Sequence, residues 1–223
     1  MRRRSALALL LPLIVLSATP AAAFIPSPGT TPAPVGAPTP TLGLRLNELD
    51  YDQPGVDTGE FVEIVNLGTE RTRLRRVALV FINGTTSAEY RRVQLSGPLG
   101  PSRRLVVATS SVSVGGSARV LPLPLARDNV QNGAPDAVAL VDTADDVVLD
   151  AIAYEGSIDD AMIDGLPGTF SLVEGEPVSE TDGNEVAGSL CRIPDRADSG
   201  DDDHDWSACA PSPGTRNTAA PAP

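Results

Sequence analysis

Short aliphatic runs recur along the chain between residues 44 and 154, and Gly, Pro, Asn or Asp bounds them. The runs are rich in Val, Leu and Ile, which favour strands, and they have the length of ordinary strands. Several of them at such close spacing predict an all-β sandwich or barrel. The predicted strands are 44–49, 61–67, 77–82, 90–95, 105–108, 137–141 and 147–154.

Helical patterns are weak by comparison. The one candidate, 158–163, is brief and soon meets Gly165 and Pro167, which end helices. The surrounding stretch, 156–188, is rich in glycine and acidic residues and has few apolar anchors. We therefore expect a long excursion between strands with at most one helical turn, and its composition suggests no purpose beyond solubility or binding.

The two ends of the chain are predicted to lie outside the folded domain. Three arginines precede an apolar run at 6–16, and a small-residue cleavage motif ends at Ala23, so residues 1–23 are predicted to be a signal peptide. The apolar run is well below the ~20 residues that span a bilayer, and no later segment is long enough. A proline-rich spacer at 24–42 and a tail at 218–223 are expected to be disordered. This organisation leaves a single domain at 43–217 in a secreted, periplasmic or extracellular, protein.

Charge is distributed unevenly along the chain. The formal net charge is -12, no lysine is present, and residues 70–127 hold ten arginines against two acids, whereas twenty-one acids and three arginines follow. Arg71, Arg73 and Arg75 alternate, which on a strand places them on one face. They are a candidate patch for an anionic polymer such as nucleic acid or cell-surface phosphate. Alternatively they pair with the acidic later strands, an interpretation favoured because the charge of the whole protein repels polyanions.

An acidic loop precedes Trp206 and contains candidate calcium ligands. Calcium prefers several oxygen ligands on flexible loops, but the glycine and glutamate of an EF-hand are missing here, which excludes that motif. The alternative is a solvated loop that keeps an edge soluble. The same alternatives apply to a second cluster around the Pro54-Gly55 turn. The candidate ligands are Asp198, Asp201, Asp203 and Asp205, and the second cluster comprises Asp50, Asp52, Asp57 and Glu60.

Cys191 and Cys209 are the only cysteines. In an exported domain they are predicted to form a disulfide, which adds roughly 3 kcal/mol in the chain-entropy model. Trp206 is expected to pack over this disulfide, as a tryptophan does in immunoglobulin cores. A zinc site would need more ligands than two cysteines and His204, and a free reactive thiol is the other alternative.

The sequence shows no assembled catalytic constellation. His204 is the only candidate for a histidine base, and no nucleophile elbow, zinc-protease motif or phosphate loop occurs. Glu60 and Glu63 have an odd spacing that directs them to opposite faces of a strand. Glu63 stands among aliphatic residues and is expected to meet an arginine or backbone donors. We therefore predict a protein that is not an enzyme, with a hydrolase that uses two carboxylates as the alternative.

Several motifs resemble those of the lamin tail domain family. The first strand of that family ends in Asn-Glu, here Asn47-Glu48, and residues 60–66 read Glu-Phe-Val-Glu-Ile-Val-Asn, the form of that family's second strand. Three later segments resemble the bacterial branch of the family: 132–136, 189–192 with Trp206 and Cys209, and 212–217. The resemblance covers most of residues 44–217, departs from the family at 74–77, and implies an immunoglobulin-like β-sandwich.

Bacterial proteins of this family occur exported, alone or attached to nucleases, phosphoesterases and other surface enzymes, which implies a binding or tethering role. The expectation is a secreted, non-catalytic module that recognises a protein or a cell-envelope polymer through its loops. Nucleic acid is not the expected partner, and calcium is the one candidate cofactor. A carboxylate hydrolase and a calcium-stiffened structural protein are the alternatives, and the sequence does not specify an oligomeric state.

Overall fold

The computed structural model describes residues 42–183 and 185–219. The predicted signal peptide, nearly all of the predicted spacer and residues 220–223 of the predicted tail lie outside the described residues. Within the described ranges, no helix has the length and hydrophobicity needed to cross a membrane.

Twelve strands, one 3-10 turn at Leu74–Arg76 and one four-residue helix form the regular structure of this part of the chain. The strands are β1 (Leu44–Asp50), β2 (Phe61–Asn66), β3 (Thr72–Arg73), β4 (Val77–Asn83), β5 (Ala88–Gln94), β6 (Pro98–Leu99), β7 (Arg104–Ala108), β8 (Arg119–Pro122), β9 (Asp136–Asp142), β10 (Val147–Tyr154), β11 (Ser189–Arg192) and β12 (Trp206–Cys209); the helix is α1 (Asp202–Asp205).

The predicted strands are all present, as β1, β2, β4, β5, β7, β9 and β10. The prediction of a helical turn at 158–163 is wrong, because this stretch is irregular and Ala161 forms an isolated β-bridge with Phe170. The short helix α1 lies instead within the acidic loop. The Asp201 side chain accepts a hydrogen bond from the amide of His204 and caps that helix.

The strands form two main sheets that face each other. The larger sheet has the order β12-β11-β1-β2-β7-β8, the smaller sheet has the order β10-β9-β4-β5, and β3 and β6 form a separate ribbon. Neighbouring strands are antiparallel except β7 and β8, which are parallel. This arrangement is an all-β, immunoglobulin-like sandwich, and it confirms the predicted fold class.

The core between the two sheets is aliphatic, as expected from a chain with few aromatic residues. Side chains at alternate positions of each strand point into it. Examples that are fully buried are Val62 and Ile64 of β2, Leu79 and Phe81 of β4, and Val138 and Leu140 of β9.

The excursion 156–188 covers the outer face of the smaller sheet. That face presents short side chains such as Ala78 and Ala139, and Ile158, Ile163 and other apolar residues of the excursion pack against it. Small residues allow a loop to approach the sheet closely. The excursion therefore encloses a second apolar layer, a purpose that its polar composition did not reveal.

Cys191 and Cys209 form the predicted disulfide between the last two strands, with their Cα atoms 6.2 Å apart. Trp206 does not cover it, so that expectation is wrong. Alternation along β12 places Trp206 and Cys209 on opposite faces. The Trp206 ring belongs to the main core, and its centroid lies 4.9 Å from the guanidinium carbon of Arg192.

The segment 212–217 closes over the outer face of the larger sheet. The Ser212 amide donates to Glu48 Oε1 at 2.6 Å, and the Ser212 hydroxyl donates to Glu48 Oε2 at 3.0 Å. The Asn217 side-chain amide donates to the carbonyl of Asn47 at 2.7 Å. The segment thus supplies hydrogen-bond donors to a carboxylate and a carbonyl that are both buried.

Glu63 lies on the same outer face and is fully buried. Its carboxylate accepts hydrogen bonds from Arg104 Nε at 2.9 Å, Asn47 Nδ2 at 2.7 Å and the Gly214 amide at 2.7 Å. An arginine and a backbone donor were the partners expected for this residue. Its carboxylate oxygens therefore accept hydrogen bonds from groups within the protein.

Candidate anion-binding site

The alternating arginines project from one side of the β3–β6 ribbon. Thr72 and Leu74 are buried, whereas Arg71, Arg73 and Arg75 are exposed. Since β3 contains only two residues and is followed by a 3-10 turn, no long strand fixes this orientation. The buried anchors between the arginines hold the three guanidinium groups outward.

These three arginines line a single concavity of about 470 Å³ together with Gly97 and Pro98. Pro98 pairs with Arg73 across the ribbon, and the Leu74 amide donates to the Gly97 carbonyl at 2.9 Å. Gly97 has a φ of +71°, and a Cβ on it would lie 2.7 Å from Arg119 Nη2. Glycine is therefore the residue that suits this turn.

Backbone carbonyls beside the concavity are already occupied by hydrogen bonds. Arg119 donates to the carbonyls of Ser96 and Pro98, at 3.0 Å each. Gln94 Nε2 donates to the carbonyl of Arg75 at 3.2 Å. These carbonyl oxygens therefore already accept hydrogen bonds from within the protein.

The three arginines make no side-chain hydrogen bond or ion pair with any other residue in the described ranges. The favoured interpretation, that these three arginines pair with the acidic later strands, is therefore wrong, and such pairs are made by neighbouring arginines instead. Arg76 Nη2 lies 2.6 Å from Asp142, and Arg104 Nη2 lies 2.7 Å from Asp195. The concavity therefore concentrates positive charge that internal acids leave unpaired.

Acidic residues are missing from the part of the sequence that builds this region. Residues 90–127 contain no Asp or Glu but hold six arginines. The exposed Glu70 is the acid next to Arg71 in sequence. A forked guanidinium group binds phosphate or carboxylate through paired hydrogen bonds, so the arrangement is suited to an anionic ligand.

The four candidate calcium ligands are held by separate internal contacts. Asp201 caps α1, Asp203 Oδ1 accepts from the Ser179 amide at 3.1 Å, and Asp205 Oδ2 accepts from the Ser199 amide at 2.7 Å. The remaining ligand pairs with an arginine: Arg45 Nε lies 2.6 Å from Asp198 Oδ2. The calcium site stays a prediction.

Asp198 instead comes close to Asp150 and Glu174, and oxygen atoms of these three carboxylates lie within 4.8 Å of one another. Among the described residues, no other group of three or more His, Cys, Asp or Glu meets this distance. Two arginines already supply positive charge there. Arg192 Nη2 lies 3.1 Å from Asp150, and Arg45 contacts Asp198.

Arg192 is the centre of a buried charge network that the sequence interpretation missed. The side chain is fully buried and donates to Asp150 at 3.1 Å, Asp205 at 3.0 Å and the Leu46 carbonyl at 2.9 Å. Burial raises the pKa of Asp150 to about 7, although Arg192 opposes that rise. Burial likewise raises the pKa of Asp202 to about 7. The motif at 189–192 includes this arginine, but nothing in the sequence predicted that it is buried and paired, because its partners come from distant segments.

The second acidic cluster supports the turn between β1 and β2. Glu60 accepts hydrogen bonds from the amides of Asn129 at 2.7 Å and Val130 at 2.6 Å. Gln53 donates its backbone amide to Asp57 at 3.1 Å and its side-chain amide to Asp50 at 2.5 Å. Asp52 Oδ1 lies 3.4 Å from the side-chain nitrogen of Asn132. These carboxylates have roles in holding loops together.

His204 has a largely exposed side chain. Its Nδ1 atom lies 3.5 Å from Ser199 Oγ and 3.5 Å from Asp205 Oδ1. A catalytic triad needs the hydroxyl and the carboxylate on opposite ring nitrogens, whereas both approach the same nitrogen here. The absence of an enzymatic activity stays a prediction, and this cluster lacks the geometry of a relay.

No protein-family description matches the chain, and no curated protein matches it. The fold defines an all-β protein with an immunoglobulin-like sandwich. Membership of the lamin tail domain family therefore rests on the sequence motifs alone and stays a prediction.

Proposed function

We propose that the protein is an exported, non-catalytic module of the lamin tail type that holds a phosphate-bearing polymer of the cell envelope. The observation that carries the proposal is the concavity formed by Arg71, Arg73 and Arg75, which have no acidic partner among the described residues. The predicted signal peptide and the disulfide support export.

The acidity of the whole protein does not prevent such binding. Salt screens charges with a Debye length of about 8 Å at physiological ionic strength. Carboxylates on other parts of the sandwich are then largely screened from a ligand in the concavity, and the local arginines dominate. A polymer with repeated phosphate groups is also a ligand that matches three neighbouring guanidinium groups.

The arrangement of the acidic residues favours a binding role over the alternatives. Glu60, Glu63 and Asp205 accept hydrogen bonds from the fold. Asp150, Glu174 and Asp198, whose carboxylate oxygens lie within 4.8 Å of one another, have two arginines beside them, and Arg45 and Arg192 supply the positive charge that a calcium ion would bring. A binding module is therefore better supported than a carboxylate hydrolase or a calcium-stiffened protein.

The test is titration of the signal-processed protein with poly(glycerol phosphate) over a range of salt concentrations. Three phosphate contacts predict a slope of log K against log salt of roughly −2 to −3. The triple variant R71Q/R73Q/R75Q should bind at least about tenfold more weakly and lose most of the slope. The charge-matched control R103Q/R127Q/R216Q changes exposed arginines elsewhere and should retain the slope.

Two results would overturn the proposal. One is equal weakening by the two triple variants, which would show that only net charge matters. The other is tighter binding to a DNA duplex than to the envelope-type polymer at matched phosphate concentration, since that would make nucleic acid the ligand.

A further inference from the structure

A cavity of about 600 Å³ lies where segments 181–183 and 185–188 meet the ends of β11 and β12. This volume is in the range of pockets that bind small molecules, which are usually lined in the main by apolar groups. The cavity shares no lining residue with the arginine concavity and is treated as a separate site. Its apolar walls are formed by Val186, Ala187, Ala208 and Ala210.

One wall of this cavity carries a buried carboxylate that is held in a fixed orientation. Asp182 is only 2% exposed. Its Oδ2 atom accepts hydrogen bonds from the amides of Tyr51 at 3.1 Å and Asp52 at 3.3 Å. The Asp182 amide in turn donates to the Tyr51 hydroxyl at 3.0 Å. The residues that follow β1 therefore fix one oxygen of the carboxylate and, with it, the direction of the other.

The other oxygen, Oδ1, accepts no hydrogen bond of normal geometry from the described residues. It lies at the cavity wall, because a Cβ on Gly188, another lining residue, would be 3.0 Å from it. A buried carboxylate oxygen is costly to the fold unless a donor or a cation meets it. The Asp182 Oδ1 atom therefore marks the position of a ligand group that is positively charged and donates hydrogen bonds.

The charged side chains around this oxygen are acidic. No arginine is among the described residues that line the cavity, whereas Glu185 lines its exposed side. Burial raises the pKa of Asp182 to about 6, nearby amides including that of Gly183 oppose the rise, and the charge of Asp52 adds to it. Burial also raises the pKa of Asp50 to about 8, and the charge of Asp182 contributes. Walls of one charge sign and low polarity attract a ligand of the opposite sign.

A primary ammonium group suits the site better than other cations. Calcium takes several oxygen ligands, and Asp182 is not among the three described carboxylates whose oxygens lie within 4.8 Å of one another. A quaternary ammonium group is ordinarily bound by aromatic rings, and none of the described lining residues is aromatic. A primary ammonium group has three donors on a compact head and is attached to an apolar stem.

We infer that this cavity binds a primary ammonium group on a short aliphatic chain, with the ammonium group at Asp182 Oδ1 and the chain against Val186 and the three alanines of the wall. The site differs in place and in charge from the arginine concavity, so it goes beyond the proposed function. A free alkylamine and a lysine side chain present the same group, and the experiment compares these two sources.

The test is a calorimetric titration of the signal-processed protein with n-butylammonium and with the peptide acetyl-Ala-Lys-Ala-amide, with n-butanol and calcium as comparison probes. At least one ammonium probe should bind, and the tighter of the two identifies the source. Neutral n-butanol should bind at least about tenfold more weakly than n-butylammonium. Affinity for the ammonium probe should rise from about pH 5 to about pH 7, because Asp182 must lose its proton to pair with the ligand.

The variant D182N isolates the unpartnered oxygen. The asparagine oxygen can keep the hydrogen bonds from Tyr51 and Asp52, while an amide nitrogen replaces Oδ1. D182N should bind the ammonium probe at least about tenfold more weakly. The charge-matched control is D146N, since Asp146 is exposed and has a φ of +55°, a conformation that asparagine also adopts. D146N should bind like the native protein.

A second variant locates the site independently of charge. G188A places a methyl group beside Oδ1 and should also weaken ammonium binding at least about tenfold. Thermal unfolding of each variant verifies that it is folded.

Three results would overturn the inference: no binding of either ammonium probe, equal weakening by D182N and D146N, or binding of calcium alone that D182N abolishes. None of them bears on the proposed function, because D182N and G188A leave the arginine concavity unchanged and should retain poly(glycerol phosphate) binding. Failure of the native protein to bind that polymer would conversely leave the ammonium site untouched.

Discussion

Replacement of Arg192 by methionine removes the one cation at the centre of a fully buried network. Methionine keeps the unbranched apolar stem of arginine without its guanidinium group, so the part of the space that the stem occupies stays filled. The change deletes hydrogen bonds to Asp150, Asp205 and the Leu46 carbonyl, and the contact of the guanidinium group with the Trp206 ring. The perturbation is therefore mainly electrostatic.

The expected cost follows from the two carboxylates that lose their partner. Asp150 and Asp205 are each almost fully buried, and breaking a buried ion pair by removing one member costs about 3–5 kcal/mol. Asp150 already has a pKa raised to about 7 by burial. Loss of Arg192 raises this pKa further, so the folded variant holds its proton to higher pH than the unfolded chain does. Because the folded variant binds more protons than its unfolded chain, its free energy of unfolding falls as pH rises. Over the range from pH 5 to pH 8 this fall is larger than that of the native protein.

Urea unfolding at pH 5 and pH 8 measures both effects. We expect R192M to lose about 3–5 kcal/mol at pH 8 and less at pH 5. The double variant R192M/D150N should recover about 1–2 kcal/mol, because it also removes one buried charge. The surface control R127M, which disrupts only an exposed pair with Asp128, should change stability by less than about 1 kcal/mol. A loss below about 1 kcal/mol in R192M at pH 8 would refute the reasoning.

Two further predictions concern the outer face of the larger sheet and the turn after β1. Burial raises the pKa of Glu48 to about 7 and that of Asp50 to about 8, so the folded state binds more protons than the unfolded chain between about pH 4 and pH 8. Urea unfolding should show that stability decreases with pH over this range. The D50N variant should reduce this slope by up to about 1.4 kcal/mol per pH unit. A rise in stability with pH would contradict the prediction. Gly214 has a φ of +87°, and a Cβ there would lie 2.3 Å from the Gly115 carbonyl oxygen. G214A should therefore lower the free energy of unfolding by at least about 2 kcal/mol. The control is G165A, because Gly165 has a φ of +83° but no atom near its Cβ position. G165A should lower stability by less in the same assay.

The strands that the sequence predicted are those whose residues alternate or cluster as aliphatic runs. Those it missed are short and mixed in composition. β8 reads Arg-Val-Leu-Pro and β11 reads Ser-Leu-Cys-Arg, and neither has enough apolar residues in sequence to signal a strand. β11 is stabilised by pairing with β1, whose residues lie about 140 positions earlier. Such a partner leaves no local pattern in the sequence.

The sequence also predicted which arginines lie on one side but not what surrounds them. Alternation placed Arg71, Arg73 and Arg75 on one side, and they do line one concavity. Their lack of acidic partners depends on which later strands lie beside the ribbon, and that is decided by tertiary register. Arg192 shows the same limit, because its acidic partners could not be predicted from the sequence. A charged residue is ordinarily expected at the surface, and only the fold brings two aspartates to it.

Three of the motifs that carry the resemblance to lamin tail domains meet on the outer face of the larger sheet: Asn47-Glu48, residues 60–66 and the segment 212–217. Glu48 and Glu63 face each other across β1 and β2, and the segment 212–217 donates hydrogen bonds to both of them. Each of these three motifs is weak when read separately in the sequence, yet each supplies one part of a buried hydrogen-bond cluster. A buried carboxylate without such donors would be strongly destabilising, so these residues are constrained by folding. The resemblance therefore bears on the architecture, while the arginine concavity lies on a surface that the shared motifs do not include.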